Sequence, residues 1–143
     1  MRTRLELHQH LEVPGIDLDR LHSVAEKALP LCVEKQFGPD SPLGQLQEIE
    51  ISLIDDAEIG RVHGEFLDDP TPTDVITFDH GEILVSLETA ERQARQHGCD
   101  FFEEVARYVV HGLLHLAGYE DASTADRSRM VAVQEAVLAS SLY

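Results

Sequence analysis

The hydrophobic residues of this chain recur with two periods, one typical of strands and the other typical of helices. Residues 4–13 alternate leucine or valine with polar residues, and this pattern predicts a half-buried strand. Residues 47–54 alternate in the same way around Ile49, Ile51 and Leu53. Two shorter β-rich runs, VITF and EILVSL, are joined by DHG and predict a hairpin. Together these patterns predict four strands.

Apolar residues at helical spacing predict four helices between and after the strands, and the polar stretch ETAERQARQHG, at 88–98, predicts a short fifth one. Four of these helices begin at residues that cap helix N-termini well, namely Asp17, Asp55, Asp100 and Ser123. Glycines, which favour the left-handed conformation at a helix end, close the third helix at Gly98 and the fourth at Gly118. The fourth helix is apolar around nearly its whole circumference, which places it in the middle of a domain.

Two other helices carry expectations about single residues. Pro30 lies inside the helix that follows Asp17, and because proline lacks a backbone N–H it is expected to bend or end that helix. The helix after Asp55 is expected to bury one face, made of Ile59, Val62, His63 and Phe66. A serine at the end of the last strand, Ser86, is expected to pack or to line a cleft.

The predicted element order is β-α-β-α-β-β-α-α-α. This order predicts an α+β fold, in which a small mixed sheet of about four strands is covered by helices and the fourth helix is central and buried. At 143 residues, the chain is expected to form a single domain over 1–143.

Composition narrows the classes of function. Twenty-seven acidic residues against eleven lysines and arginines give a net charge of −16, which repels phosphate backbones, so no DNA partner is expected. Any role on nucleic acid must depend on a local patch or a metal ion. The chain shows neither a membrane span nor a signal peptide, and a cytoplasmic protein is expected. Cys32 and Cys99 are expected to be reduced and structural.

The stretch HGLLHLAGYED, at 111–121, carries the candidate chemistry. His111 and His115 are one helical turn apart, so both rings can reach one divalent metal ion. Gly118 lets the chain reverse after the helix, so that Asp121 can supply a third ligand of the kind that zinc or manganese accepts. Glu120 is the alternative third ligand.

Simpler explanations of the two histidines remain open. Eight histidines in 143 residues make a chance pair at this spacing common, and a buried histidine is more often a hydrogen-bonded core residue than a ligand. The residue after the first histidine is Gly112, whereas zinc proteases with the H-E-x-x-H motif have their general base there. The ordinary metallopeptidase mechanism is therefore not expected.

Three stretches in the same order resemble the YbeY family of bacterial rRNA maturation factors, which are single-strand-specific endoribonucleases. HGLLHLAGY, at 111–119, matches the family signature H-G-x-L-H-L-x-G-Y-D-H up to its tyrosine. PTDVITF, at 72–78, is similar to P-T-D-V-L-S-F, and GEILVS, at 81–86, is similar to G-[DE]-I-x-[IV]-S. The resemblance covers nearly the whole chain.

The resemblance implies an α+β fold with one zinc ion per chain, although another divalent metal is possible. It implies metal-assisted hydrolysis of RNA phosphodiester bonds, during maturation of the 16S rRNA 3′ end and in ribosome quality control. Ribosomal RNA or the small ribosomal subunit is the implied partner. His111 and His115 take the positions of the first two ligands, and Asp121 takes the position of a third histidine. These three residues are the predicted metal ligands and catalytic site.

Two departures from the family pattern bear on activity. Asp121 is anionic, which lowers the net charge of the metal site and weakens a bound metal as a Lewis acid. Leu67 stands where the family has an arginine, the natural clamp for a phosphate. Arg61 and His63 are the candidate substitutes for that arginine, and Thr73 and Asp74 are interpreted as a turn and strand start.

Three functions from different classes are therefore retained. The first is a metal-dependent endoribonuclease. The second is a non-catalytic, ribosome-associated factor with a structural metal, which Leu67 and the acidic charge favour. The third is a metal-dependent hydrolase with a non-RNA substrate, for which Gly112 disfavours peptides.

Overall fold

The computed structural model describes residues 3–10, 16–38, 41–68 and 73–143. The elements are β1 (Arg4–Gln9), α1 (Leu18–Glu34), β2 (Glu48–Ile54), α2 (Asp56–Leu67), β3 (Val75–Phe78), β4 (Glu82–Ser86), α3 (Leu87–His97), α4 (Phe101–Leu116) and α5 (Thr124–Leu142). A short 3-10 helix, Pro42–Gln45, precedes β2. This order confirms the predicted one. The predicted end of the first strand, at 11–13, and Pro72 of the PTDVITF stretch lie outside the described residues.

The four strands form one sheet in the order β1-β2-β4-β3. Strands β1, β2 and β4 run parallel to one another, and β3 runs antiparallel to β4. The sheet is therefore mixed, as predicted. The DHG turn between β3 and β4 requires its glycine, because Gly81 has φ +105° and an added Cβ would lie 2.7 Å from the Glu48 carbonyl oxygen. The hairpin places β3 at one edge of the described sheet.

Helices cover both faces of the sheet, and the main core lies on one of them. Side chains of β1, β2 and β4 pack there with α1, α4 and α5. The opposite face is covered by α2 through a smaller apolar cluster, made of Ile54, Ile59, Val62, Ile76 and Leu84. None of the described helices has the length and apolar character needed to cross a membrane.

Helix α4 is central, as its apolar circumference predicts. It packs against α1, α3 and α5 and against β3 and β4. Gly112 faces the sheet, since a Cβ at this position would lie 2.7 Å from Cγ2 of Ile83. The close approach of α4 to β4 therefore explains this glycine, and it leaves no room for a glutamate at that position.

The expectation that α1 ends at Pro30 is wrong, and so is the expectation that Phe66 is buried. Pro30 does not end α1, which continues to Glu34, because Leu29 and Cys32 hold the helix against the core on either side while the proline itself is exposed. Phe66 is not buried: 61% of it is exposed, because the last turn of α2 lines an open cavity instead of packing on the core. Its ring contacts Phe78 edge-on, with the ring centroids 5.5 Å apart.

The two cysteines are free thiols. Cys32 is fully buried in the main core, and burial raises its pKa to about 12. A thiol with such a pKa is not a nucleophile near neutral pH. The structural interpretation of Cys32 therefore fits its surroundings, and Cys99 lies in the short connection between α3 and α4.

Candidate metal centre

The C-terminal end of α4 positions the candidate site. The Gly118 N–H donates to the His115 carbonyl and the Tyr119 N–H donates to the Leu114 carbonyl, which is the Schellman arrangement that ends a helix at a glycine. Gly118 has φ +99°, as the predicted left-handed end requires. The Tyr119 hydroxyl donates to the Lys35 carbonyl and anchors the turn to the end of α1. The chain after the helix is thereby directed back toward the histidine face.

The structure brings the three predicted ligands together. Nε2 of His111 lies 3.0 Å from Nε2 of His115. Oδ2 of Asp121 lies 3.6 Å from the first of these nitrogens and 3.7 Å from the second. Among the described residues, these three form the group of His, Cys, Asp and Glu side chains able to share one metal ion. Glu120, the alternative ligand, is exposed and is not part of this group.

In both histidine rings, Nδ1 donates a hydrogen bond to a neighbouring oxygen. Nδ1 of His115 lies 3.0 Å from the Tyr119 carbonyl oxygen, which can only accept. Nδ1 of His111 lies 2.7 Å from Oε1 of Gln134. The Gln134 amide nitrogen donates to Glu135, which sets the direction of the amide and leaves its oxygen toward His111. Each neutral ring therefore carries its proton on Nδ1.

This protonation pattern turns two lone pairs toward each other. With both protons on Nδ1, the two Nε2 atoms face one another across 3.0 Å as acceptors, beside a carboxylate oxygen. Such an arrangement is repulsive unless a cation lies between the acceptors. Tetrahedral coordination at the usual zinc–nitrogen and zinc–oxygen lengths separates ligand atoms by about 3.3–3.5 Å. The three observed separations bracket this range, so the donor set fits a small divalent metal ion.

The site is half-buried and is open on the side of Asp121. The side chains of His111 and His115 are 22% and 29% exposed, while that of Asp121 is 47% exposed. Burial lowers the pKa of His115, and the neighbouring His111 lowers it further. Both effects favour the neutral ring, which is the form that binds metals.

Gln134 is a site residue that the sequence interpretation missed. It links His111 to an ion-pair network in which Glu135 accepts from Arg107 and Arg107 also pairs with Glu104. A signal for it exists in the sequence. Gln134 occupies a buried position of the apolar stripe of α5, between Met130 and Val137, where a polar residue needs a partner.

Replacing Gln134 by alanine is expected to weaken metal binding without abolishing it. Loss of such outer partners of ligating histidines lowers metal affinity by about 10–100-fold. The measurement is a competitive zinc titration of Gln134→Ala against the unmodified protein. Gln96→Ala, at an exposed position on α3, is the control and should bind as the unmodified protein does. Equal affinity of the two variants would show that Gln134 does not orient the ligand.

Two cavities flank the histidines. One, of about 420 Å³, lies between β3, the end of α2 and the end of α4, and is lined by His63, Leu67, Thr77 and His115 among others. The Thr77 hydroxyl is buried and has no hydrogen-bond partner among the described residues. The other, of about 270 Å³, is lined by residues that include Arg107, His111, Asp121 and Arg127. A substrate can therefore approach the triad from both sides.

The other residues that the sequence analysis considered lie in different parts of the structure. His63 and Leu67 lie at the groove that His115 lines, whereas Arg61 lines the open cavity beside Phe66 and pairs with Glu58 and Glu65. Arg61 is therefore not a phosphate clamp for this site. Thr73 and Asp74 have the predicted role of a strand start, since Asp74 accepts from the Val75 N–H.

Ser86 does not line a cleft. It is fully buried at the start of α3, where its hydroxyl accepts from the Thr89 N–H and donates to Asp56. Burial by itself would raise the pKa of Asp56, but hydrogen bonds from Ser86, Arg92 and Thr89 outweigh it and hold the pKa below its ordinary value. This contact joins the start of α2 to α3 and is structural.

Comparison with known proteins identifies one family. The family model described as "Endoribonuclease YbeY" matches residues 7–141. A Myxococcus xanthus protein of the same description is 36% identical over 104 residues, which cover 64% of this chain and 35% of that protein. One from Heliobacterium modesticaldum is 35% identical over 116 residues, which cover 65% and 70% of the two chains.

One solved structure also matches nearly the whole chain. A solution structure of a Thermotoga maritima protein superposes with a TM-score of 0.64 at 26% identity, covering 94% of this chain and 86% of that one. The matched region spans about a third of the M. xanthus relative and about two thirds of several others. The α+β fold is thus shared with the Thermotoga maritima protein over nearly the whole chain.

Proposed function

This chain belongs to the YbeY family, and from that premise we propose that it is a metal-dependent endoribonuclease that cleaves single-stranded RNA. One observation supports the proposal above the others. Two histidine lone pairs and a carboxylate converge at one end of α4, with ligand atoms 3.0–3.7 Å apart. The relatives are described as endoribonucleases, and a metal ion suits hydrolysis of a phosphodiester bond.

We assign His111, His115 and Asp121 as ligands of one zinc ion per chain. A bound divalent metal supplies Lewis acidity toward a phosphoryl oxygen and lowers the pKa of water. The aspartate makes the site less cationic than one with three neutral ligands. Water activation at this site is therefore expected at a somewhat higher pH than at a site with three neutral imidazoles.

Neighbouring residues orient the metal ligands, and a groove beside them gives the substrate access to the site. Gln134 and the Tyr119 carbonyl fix both rings with Nε2 inward, so that no ring has to turn when the metal binds. Asp121 is the most exposed ligand and lies where the site opens. The groove along His63, Leu67 and Thr77 gives an extended strand access to the site past the edge strand β3. A single strand fits such a groove more readily than a duplex does.

The cellular role follows from the family. We propose that the substrate is ribosomal RNA on or near the small subunit, at the maturing 16S 3′ end, and that the protein works in the cytoplasm as one hydrolase domain over 1–143. The net charge of −16 supports a localised substrate contact, because a surface of this sign does not attract RNA over its whole extent.

Metal removal tests the proposal. The protein loaded with zinc is expected to cleave a labelled single-stranded RNA, and cleavage should stop after chelation and return when zinc is added. A duplex RNA, a single-stranded DNA and a peptide of ordinary composition serve as comparison substrates and should stay intact. Cleavage products are resolved by denaturing electrophoresis. Cleavage of the peptide but not the RNA would favour the hydrolase with a non-RNA substrate and would contradict the proposal.

A non-catalytic, ribosome-associated factor is the second candidate, and one observation favours it. Leu67 is 57% exposed at the groove beside His115, where an arginine would contact a substrate phosphate and a leucine cannot. Leu67→Arg separates the two candidates. A large gain in RNA cleavage identifies the unmodified chain as a nuclease with reduced activity, whereas inactivity of both proteins favours the binding role.

A further inference from the structure

The arginines near the triad differ in whether their charge is already neutralised. Arg107 pairs with Glu104 and Glu135, and Arg129 pairs with Asp126. Arg127 makes no ion pair or side-chain hydrogen bond with any described residue, although its side chain is exposed on the wall of the cavity that His111 and Asp121 also line. Arg20 likewise has no ion pair with a described residue, but its guanidinium lies 4.0 Å from the Phe102 ring centroid, near the other end of α4.

The position of Arg127 on α5 directs it toward the site. Arg127, Val131 and Gln134 are spaced by four and three residues, so they share one face of the helix. Gln134, on that face, hydrogen-bonds to His111 at 2.7 Å. Arg127 therefore lies two helical turns from a residue that touches the triad, about 10 Å away along the helix axis.

We propose that Arg127 is a phosphate-binding residue, which holds a phosphate of the RNA strand on the α5 side of the metal centre. This inference deepens the proposed function and rests on it. A guanidinium presents parallel N–H donors that match two phosphate oxygens, and no carboxylate of the described residues competes for those donors in Arg127. The cavity of about 270 Å³ accommodates one such group beside the triad.

The surrounding charges strengthen the case for a specific contact. Apart from Arg127, the charged residues of the cavity are Asp74, Arg107 and Asp121. The Arg107 charge is compensated by two glutamates, and Asp121 is assigned to the metal. Arg127 is therefore the uncompensated cation that this wall offers to an anionic ligand. It lies on the opposite side of the histidines from Leu67, so it would contact the strand at a different phosphate.

Binding of a non-hydrolysable RNA to the zinc-loaded protein tests the inference without depending on cleavage. Fluorescence anisotropy of a labelled single-stranded oligoribonucleotide is measured over a range of salt concentrations with the full chain. Arg127→Ala is expected to raise the dissociation constant about tenfold, as suits loss of one charge-assisted contact. The slope of log affinity against log salt should become shallower by about 0.7, the value for one phosphate contact on a single strand.

Arg20→Ala is the matched control, because it removes an equal charge that also forms no ion pair within the described part of the chain but lies away from the triad. Arg127→Lys should recover part of the affinity, and zinc content should be the same in all variants. Equal affinity and equal salt slope in Arg127→Ala and Arg20→Ala would overturn this inference and leave the proposed function intact. Absence of RNA binding by the unmodified chain would overturn both.

Discussion

Alanine in place of His115 is expected to remove the metal and, with it, all metal-dependent activity. His115 contributes one of two nitrogens that lie 3.0 Å apart, and its loss leaves one imidazole and one half-exposed carboxylate. Two ligands of this kind do not retain zinc through gel filtration, since stable protein sites use three or four. Elemental analysis should therefore fall from about one zinc per chain to less than about a tenth.

Thermal unfolding gives a second measurement of the same site. A ligand present at a thousand times its dissociation constant raises the free energy of unfolding by about 4 kcal/mol, and one that does not bind adds nothing. The melting temperature of the unmodified protein should rise with added zinc, and that of His115→Ala should not. His97→Ala, at an exposed position near the end of α3, is the control and should behave as the unmodified protein does.

Unchanged zinc content in His115→Ala would show that the metal, if any, lies elsewhere. The two histidines would then be core residues joined to Gln134 and to the Tyr119 carbonyl. That outcome would leave family membership standing and would remove the chemical basis of the proposed nuclease. A loss of zinc without a loss of RNA cleavage would instead assign the metal a structural role.

Most of the helix boundaries could be predicted because their causes are local. The carboxylates of Asp17, Asp55 and Asp100 each accept from a backbone N–H three residues later, and the Ser123 hydroxyl does the same. Such contacts depend on four consecutive residues, so the sequence contains all that decides them. The first two strands could also be predicted, because alternation of apolar and polar residues indicates which face of a strand is buried. The other two were predicted from short β-rich runs joined by a turn.

The errors at Pro30 and Phe66 have tertiary causes. Pro30 stays helical because residues on either side of it are held against the core, and Phe66 is exposed because α2 ends over a cavity. Arg61 was a candidate for phosphate binding, but its two glutamate partners and its cavity belong to another part of the molecule. The outcomes for Pro30 and Phe66 depend on how their helices pack, whereas the glutamates that pair with Arg61 are only three and four residues away on the same helix.

Some features of the candidate site could likewise be predicted from the sequence, and others could not. Its three predicted ligands come from one stretch of eleven residues, where helix period and a terminal glycine suffice to bring them together. The Tyr119 carbonyl, which holds the tautomer of His115, comes from the same stretch, but Gln134, which holds that of His111, comes from α5, 23 residues further along the chain. The order of the elements predicts that α5 packs near α4, but it does not predict which of its side chains meets His111.

Replacing Gly118 by alanine is expected to have the largest effect on stability of any single methyl group added at this site. A Cβ at residue 118 would lie 2.3 Å from the Phe37 carbonyl oxygen, a backbone atom that cannot move aside as a flexible side chain does. The backbone at φ +99° is also beyond the left-handed minimum that other residues tolerate. We expect a loss of about 3–5 kcal/mol in the free energy of unfolding, from backbone strain and overpacking together.

Gly98→Ala separates these two causes. Gly98 also ends a helix in the left-handed conformation, at φ +68°, but nothing lies within 4 Å of an added Cβ. Its replacement should lower the free energy of unfolding by only about 1 kcal/mol, the cost of the left-handed conformation alone. Urea denaturation of both variants measures the difference directly. Equal losses would mean that the Phe37 contact does not constrain the turn.

The zinc affinity of Gly118→Ala connects this turn to function. The turn carries both the carbonyl that orients His115 and the carboxylate of Asp121, so moving it away from Phe37 displaces two of the contacts that the metal site depends on. Zinc affinity should therefore fall in Gly118→Ala and stay unchanged in Gly98→Ala when both are compared under conditions that keep them folded. A destabilised Gly118→Ala that binds zinc normally would show that the ligands are placed by α4 alone, and that the glycine serves the fold and not the site.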